Sequence, residues 1–348
     1  MQPKYELELW INNVQVGDIS RLAQNRSFSI KRNDREELSF DLDGKAFEAY
    51  CATLGSEPVE VLEPYITDVR VKRNGAYLFG VQVVDMEYSF NEAGASVKVR
   101  CTGFLDLMMD RYVTISYSQV DAAAIARDLI AETQALMGDF GITNGVSQDA
   151  GVLRDRNYVD QNVKDGIINL TNLSDGTFDF KFLADRTFET YTSMGTTRDN
   201  FKFTYPYNVK SMTVPRTALN LYNYIIALGS GFGEETLRSE AGDTASRLNY
   251  GTRQKIISYN SVSDQNTLDQ HAVGDVLLSK DVLMLPKLKV SGEFCDLNTI
   301  WVGDRIPVST QGYTSLPLDG MFRIEQINCS LDPNDAEDID LIVDNYGL

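Results

Sequence analysis

Thr299-Ile300-Trp301-Val302-Gly303-Asp304-Arg305-Ile306-Pro307-Val308, then Met321-Phe322-Arg323-Ile324-Glu325-Gln326-Ile327, then Asp340-Leu341-Ile342-Val343, make up the stretch that decides the fold. Short β-rich runs broken by Gly, Pro and Asp are the sequence form of a small antiparallel barrel. The stretch has an earlier counterpart. Phe79-Gly80-Val81-Gln82-Val83-Val84-Asp85-Met86-Glu87-Tyr88 and Phe322 through Leu331 each carry an aromatic residue, apolar residues two and five on, and a large apolar residue at nine. Each is followed by a turn-rich gap and an alternating strand, Ser96-Val97-Lys98-Val99 or Asp338-Ile339-Asp340-Leu341. Each is preceded by a run with Asp and Arg, Asp68-Val69-Arg70-Val71 or Asp304-Arg305-Ile306. The pattern predicts an internal duplication.

Outward from these copies, alternation predicts further strands. Tyr5, Leu7, Leu9 and Ile11 share one face of a strand that Asn12-Asn13 turns, and Val14 and Val16 begin the return. Phe28 and Ile30, then Leu38, Phe40 and Leu42, flank Arg32-Asn33-Asp34-Arg35 as a hairpin with a charged tip would. A less regular connection is expected from Lys45 to Pro64. Asn74-Gly75 between Asp68 and Val81 marks a hairpin with a type I′ turn. Beyond it the apolar set shifts phase, from Phe79, Val81 and Val83 to Val84, Met86 and Tyr88, which predicts a β-bulge. Glu92-Ala93-Gly94 then turns the chain into Val97, Val99 and Cys101.

From Asp121 the period lengthens. Ala122, Ile125, Ala126, Leu129, Thr133 and Leu136 fall on one helical face, with Asp121 placed as N-cap. Gly138 to Gly151 reads as loop. A second helix is expected around Val163, Ile167, Leu170 and Leu173, ending near Ser174-Asp175-Gly176. Phe178, Phe180 and Phe182 alternate, and Ala184-Asp185-Arg186 turns that strand back through Phe188 and Thr190. Further strands are expected at Phe201, Phe203 and Tyr205 and from Leu219 to Leu228, and an exposed loop from Ser230 to Asn249. Leu268, Ala272, Val276 and Leu278 predict a third helix. The fold class is therefore mainly β with an α+β insertion. The expected divisions are a first β-barrel domain at 1–115, an α+β domain at 116–192, and a second β-barrel domain at 193–348 with a helix near 266–280.

Composition limits what the chain does. With 348 residues, 43% of them hydrophobic, it can bury a substantial core. A net charge of −18, from 32 basic and 50 acidic residues, argues against specific nucleic-acid binding, which needs clustered Lys and Arg. The same charge suits solubility, or a surface past which DNA slides without sticking. No apolar run approaches the roughly 18–20 residues of a membrane span. Met1-Gln2-Pro3-Lys4-Tyr5-Glu6 carries no signal pattern, which predicts synthesis in a cytoplasm. Cys51, Cys101, Cys295 and Cys329 are widely spaced and are expected as buried free thiols.

Catalytic chemistry is sparse in the sequence. His271 is the single histidine, it lies on the third expected helix, and a structural or surface role is expected for it. Gly229-Ser230-Gly231-Phe232-Gly233 lacks the G-x-G-x-x-G spacing and runs into Glu234-Glu235, which would repel a phosphate, so it reads as a turn. Asp332, Asp335, Glu337 and Asp338 read as a solvated acidic turn rather than the carboxylate pair of a glycosidase. Asn169-Leu170-Thr171 and Asn172-Leu173-Ser174 match the glycosylation pattern, but within an expected helix they are incidental. No catalytic residue, cofactor site or metal site is assigned, and the chain is expected not to be an enzyme.

Arg70-Val71-Lys72-Arg73-Asn74-Gly75 leading to Leu78-Phe79-Gly80-Val81-Gln82-Val83-Val84-Asp85 and Val97-Lys98-Val99-Arg100-Cys101-Thr102-Gly103 resembles the central hub proteins of bacteriophage tails, closest to the hub-type minor tail proteins of siphophages. The late helix with Ala272, then Trp301-Val302-Gly303-Asp304 and Phe322-Arg323-Ile324, extends the likeness over most of the chain. The resemblance implies a structural virion protein, a homotrimer at the tail tip or baseplate, made in the host bacterial cytoplasm. Its two similar barrels per subunit would match a sixfold tube to a threefold spike or fibre around the DNA channel. The implied partners are the tail tube or distal tail protein, the central spike or fibre protein, and the tape measure protein. The competing readings are a tail-associated cell-wall hydrolase and a receptor- or carbohydrate-binding tail-tip module.

Overall fold

Tyr5, Leu7 and Leu9 are buried along Tyr5–Ile11 (β1), and Asn12 and Asn13, at φ of 50° and 61°, turn the chain into Val14–Asp18 (β2). Asparagine visits that left-handed region more readily than other residues with a Cβ. Gln24–Lys31 (β3) and Glu37–Asp43 (β4) form the charged-tipped hairpin that alternation predicts. The expected irregular connection instead contains two helices, Gly44–Leu54 (α1) and Pro58–Val61 (α2). Asp43 caps α1 by accepting from Ala46 N, and only Gly44, Phe47 and Cys51 are buried along it, too few apolar positions to show a period.

Asp68–Arg73 (β5) and Ala76–Asn91 (β6) meet at Asn74-Gly75, with φ of 53° and 80°, and Gly94–Gly103 (β7) follows. The register between β6 and β7 slips between Val83 and Asp85, leaving Val84 unopposed at the predicted phase change. The computed structural model describes residues 2–92, 94–173, 176–284, 286–312 and 318–345, so Ala93 of the expected turn lies outside them.

The α+β unit holds Tyr112–Asp121 (β8), Ala122–Met137 (α3), Thr143–Ser147 (β9), Leu153–Asn162 (β10), Val163–Thr171 (α4), Asp179–Phe182 (β11) and Thr187–Tyr191 (β12). Asp121 caps α3 as expected, accepting from Ala123 N and Ala124 N, while Leu136 is exposed rather than on the buried face. Strand β9 occupies part of the expected loop Gly138 to Gly151, and every residue in it is exposed. Strand β10 escapes alternation because Leu153 and Val159 face solvent while Arg154 and Arg156 are buried, whereas β8 buries Val113 and Tyr117 and leaves Tyr112 exposed. Ser174 and Asp175 of the expected helix end lie outside the described residues.

The remaining chain contains Phe203–Tyr205 (β13), Ser211–Thr213 (β14), Arg216–Thr217 (β15), Tyr224–Leu228 (β16), Arg238–Gly242 (β17), Thr244–Tyr250 (α5), Gln254–Ser258 (β18), Gln265–Ser279 (α6), Leu283–Met284 (β19), Lys287–Ser291 (β20), Arg305–Thr310 (β21), Asp319–Leu331 (β22) and Glu337–Asn345 (β23). The strand expected from Leu219 begins only at Tyr224, and Leu219 is exposed. The loop expected from Ser230 to Asn249 holds β17 and most of α5, hidden because Ser239 is the only buried residue of that strand. Helix α6 buries Leu268, Ala272 and Val276 as expected, whereas Leu278 is exposed.

Among the described residues thirteen strands make one sheet, in the order β14-β20-β23-β22-β3-β4-β7-β6-β5-β1-β2, with β21 and β13 attached at β22. Two small barrels were the expectation; the strand path is open at β14 and β2. One hydrophobic core runs through both halves, from Tyr5 to Val343, and a second fills the α+β unit from Phe104 to Phe188. Buried ion pairs tie the parts together. Arg73 donates to Glu337 at 2.6 and 3.1 Å, with side-chain exposures of 4% and 0%. Asp179 accepts from Arg32 of the first half at 2.6 Å and from Arg323 of the second.

Candidate assembly surface

The two meanders align in register at their bulges. Val84 is unopposed between β6 and β7, and Glu325 is unopposed between β22 and β23. Aligning these residues makes Val83 equivalent to Ile324, Met86 to Ile327, Tyr88 to Cys329 and Phe90 to Leu331. The surrounding hydrogen bonds agree. Val83 N donates to Thr67 O at 2.9 Å, and Ile324 N to Asp304 O at 2.9 Å; the carbonyls accept from Tyr65 N at 2.8 Å and Gly303 N at 2.7 Å. The equivalence lies two positions from the one suggested by the aromatic spacing, which places Phe79 on Phe322. A shift of two keeps every side chain on its own face, so both alignments satisfy alternation and only the hydrogen bonds separate them.

The likeness extends to strand order. The first copy runs β3-β4-β7-β6-β5-β1 and the second β14-β20-β23-β22-β21-β13. They differ at one end, where β1 is antiparallel to β5 but β13 is parallel to β21. The copies join through β3, which pairs with β22 from Gln326↔Lys31 to Ser330↔Ser27. Nothing in the local sequence announces this joint, because its strands are about 300 residues apart.

The face of this sheet opposite the core is polar. Ser27, Ser29, Ser39, Lys98, Arg100, Asn328, Ser330, Lys289, Asp338 and Asp340 line a groove of about 740 Å³ across the joint. Three of its cations are held by carboxylates: Arg100 by Asp85 and by Glu87 at 3.1 Å, Lys289 by Asp338 at 2.6 Å, and Arg35 by Asp106 at 2.8 Å. Cations engaged in this way are poorly available to phosphates.

Apart from Asp338, which lines the groove and pairs with Lys289, the residues weighed for chemistry lie away from this surface or serve packing. His271 is 1% exposed, stacks on Tyr259 with ring centroids 4.0 Å apart, and faces Arg156 Nη2 across 3.0 Å at Nε2. Burial, then the charges of Arg156 and Arg154, push its pKa down to about 3. Gly229 to Gly233 is a turn, with Gly229 N bonded to Leu237 O at 2.8 Å and Gly231 at φ 122°. The expected solvated acidic turn divides: Asp332 accepts from Asn334 N and Ala336 N, Asp335 pairs with Arg26 at 2.6 Å, and Glu337 is buried against Arg73. Its partners are far away in sequence, so spacing did not reveal them. All four cysteines are free and buried, and burial pushes the Cys51 thiol up to about 11. Asn169 lies within α4 and Asn172 is its C-cap. Among the described residues no group of three or more His, Cys, Asp or Glu is placed to hold a metal ion, and no helix is long and apolar enough to cross a membrane.

No protein-family model and no curated relative matches the chain by sequence. Solved structures do match. A tail protein from Neisseria meningitidis MC58 superposes with a TM-score of 0.66 at 11% identity, covering 99% of this chain and 97% of that one. The 43 kDa tail protein of prophage MuSo2 from Shewanella oneidensis gives 0.64 at 12% identity over 97% and 98%. A prophage tail protein from Listeria monocytogenes EGD-e gives 0.60 at 13% identity over 98% and 94%. From end to end, this chain has the fold of phage tail proteins.

Proposed function

We propose that the chain is a structural, non-enzymatic virion protein: a homotrimeric hub at the distal end of a phage tail tube. The observation that carries this reading is the repeated six-strand order with its matching bulge and hydrogen bonds. Two near-equivalent modules per chain give a threefold ring six module positions, which suits contact with a sixfold tube on one side and a threefold spike or fibre on the other. The partners are the tail tube or distal tail protein, the central spike or fibre protein, and the tape measure protein. The polar sheet face lines the channel. Its hydroxyls, amides and self-paired charges let DNA pass during genome ejection without being gripped.

Electron microscopy of the purified protein with its tail tube tests the reading. A ring of three copies around a central opening is expected. A monomeric assembly with a deep cleft, or release of fragments from purified cell wall, would favour a hydrolase and overturn it. A ring whose lumen is basic would remove the channel assignment.

A further inference from the structure

One edge of the first module is bare where its counterpart is covered. Past the bulge, β6 pairs with β7 on one side, and among the described residues no strand pairs with its other edge from Val84 to Phe90. In the second module the equivalent half of β22 is covered by β3. The side chains register the difference. Tyr88 and Phe90 are 43% and 79% exposed, while their equivalents Cys329 and Leu331 are 2% and 7% exposed. An unpaired edge carrying exposed aromatic residues is a template for another strand.

The second module holds the matching piece. Strand β14 takes the place of β3, pairing with β20 as β3 pairs with β4, and among the described residues its outer edge is likewise without a strand. We propose that β14 of one subunit pairs with the distal half of β6 in a second copy of this chain, repeating between subunits the β3–β22 joint found within one. This rests on the hub reading for the number of copies, and it specifies the contact. The register follows from the internal joint. Phe28 lies opposite Cys329 and Ile30 opposite Ile327, and the strands run antiparallel. Carrying that register across places Met212 opposite Phe90 and Val214 opposite Tyr88, all on the core-facing side of the sheet. Met212 and Val214 are both half-buried in the single chain. The contact is head-to-tail, using different surfaces on its two sides, so it builds a ring rather than a two-fold dimer.

Cysteine cross-linking of the full chain in assembled tails tests the pairing. Opposed residues across such a pair lie within the roughly 4.4–6.8 Å Cα separation that a disulfide spans. The double variant Phe90→Cys with Met212→Cys is expected to give covalent dimers and trimers on oxidation and nothing larger, while each single variant stays monomeric on a denaturing gel. Amide exchange provides a reading on the unmodified protein, with protection of Val84 to Phe90 rising at least tenfold on assembly. A threefold ring without cross-linking or protection would overturn the pairing and leave the hub reading intact. Cross-linking of Phe90→Cys alone would also overturn it, because that demands a symmetric edge contact. Absence of any ring would remove the hub reading together with the pairing.

Discussion

The single histidine offers a sharp test of how helix α6 is held. His271 is neutral in the fold because it is buried and faces Arg156 and Arg154, with its pKa pushed from the ordinary 6.5 down to about 3. An unfolded chain takes up a proton there near pH 6.5 and the folded one does not, so between these values the unfolded state binds more protons. The stability this group contributes is therefore full above pH 6.5 and lost as pH falls towards 3. The difference of about 3.5 units sets a ceiling of about 5 kcal/mol, and about 3 kcal/mol is lost by pH 4.5. His271→Phe keeps an aromatic ring over Tyr259 and removes the titration, so its stability relative to the wild type is expected to rise by about 3 kcal/mol between pH 7.5 and pH 4.5, whatever the other groups contribute to both proteins. The assay is twofold: urea unfolding at both pH values, and the ring carbon resonance of labelled histidine followed by NMR. With one histidine in 348 residues the resonance is unambiguous. A midpoint near pH 6.5, or parallel pH profiles for wild type and variant, would refute the reasoning.

Two further outcomes follow from buried charge. Glu36 at the tip of the β3–β4 hairpin has its carboxyl pushed up to about 8 by burial, with Asp34 and Asp106 adding to the shift. Here the folded state holds the extra proton, so the stabilisation is present below pH 4.5 and lost as pH rises through 8. Glu36→Gln should match the wild type at pH 5 and exceed it by up to about 5 kcal/mol at pH 9, and equal urea midpoints at pH 9 would count against it. Arg73→Ala strands the buried Glu337 carboxylate and should cost about 3–5 kcal/mol, part of which Arg73→Ala combined with Glu337→Ala restores. A loss under 1 kcal/mol for the single variant in thermal or urea unfolding would show that the pair does not clasp the two halves.

Local rules made much of the β framework legible. Asn12-Asn13 and Asn74-Gly75 are turns whose positive φ angles these residues accept, and the phase change at Val84 is a bulge in the hydrogen bonding. Asp121 caps the helix it precedes, and the Phe178 to Phe182 alternation is a buried strand. What escaped has physical causes. Helix α1 leans on Phe47 and Cys51 alone, and β10 points its arginines inward and Leu153 and Val159 outward, the reverse of ordinary alternation. The assembly surface was half legible. The duplication showed in the aromatic spacing, but its register and the β3–β22 joint depend on hydrogen bonds between distant strands. Glu337 looked like a surface acid because its partner Arg73 is 264 residues away.

Symmetry-free cryo-electron microscopy of the intact tail tests the central claim most directly. The account predicts three copies of this chain at the distal end of the tube, forming six similar meanders around an open channel, with each β6 edge covered by β14 of a neighbour. Six copies in the ring, or a chain set outside the tube wall with its β6 edge bare, would contradict it.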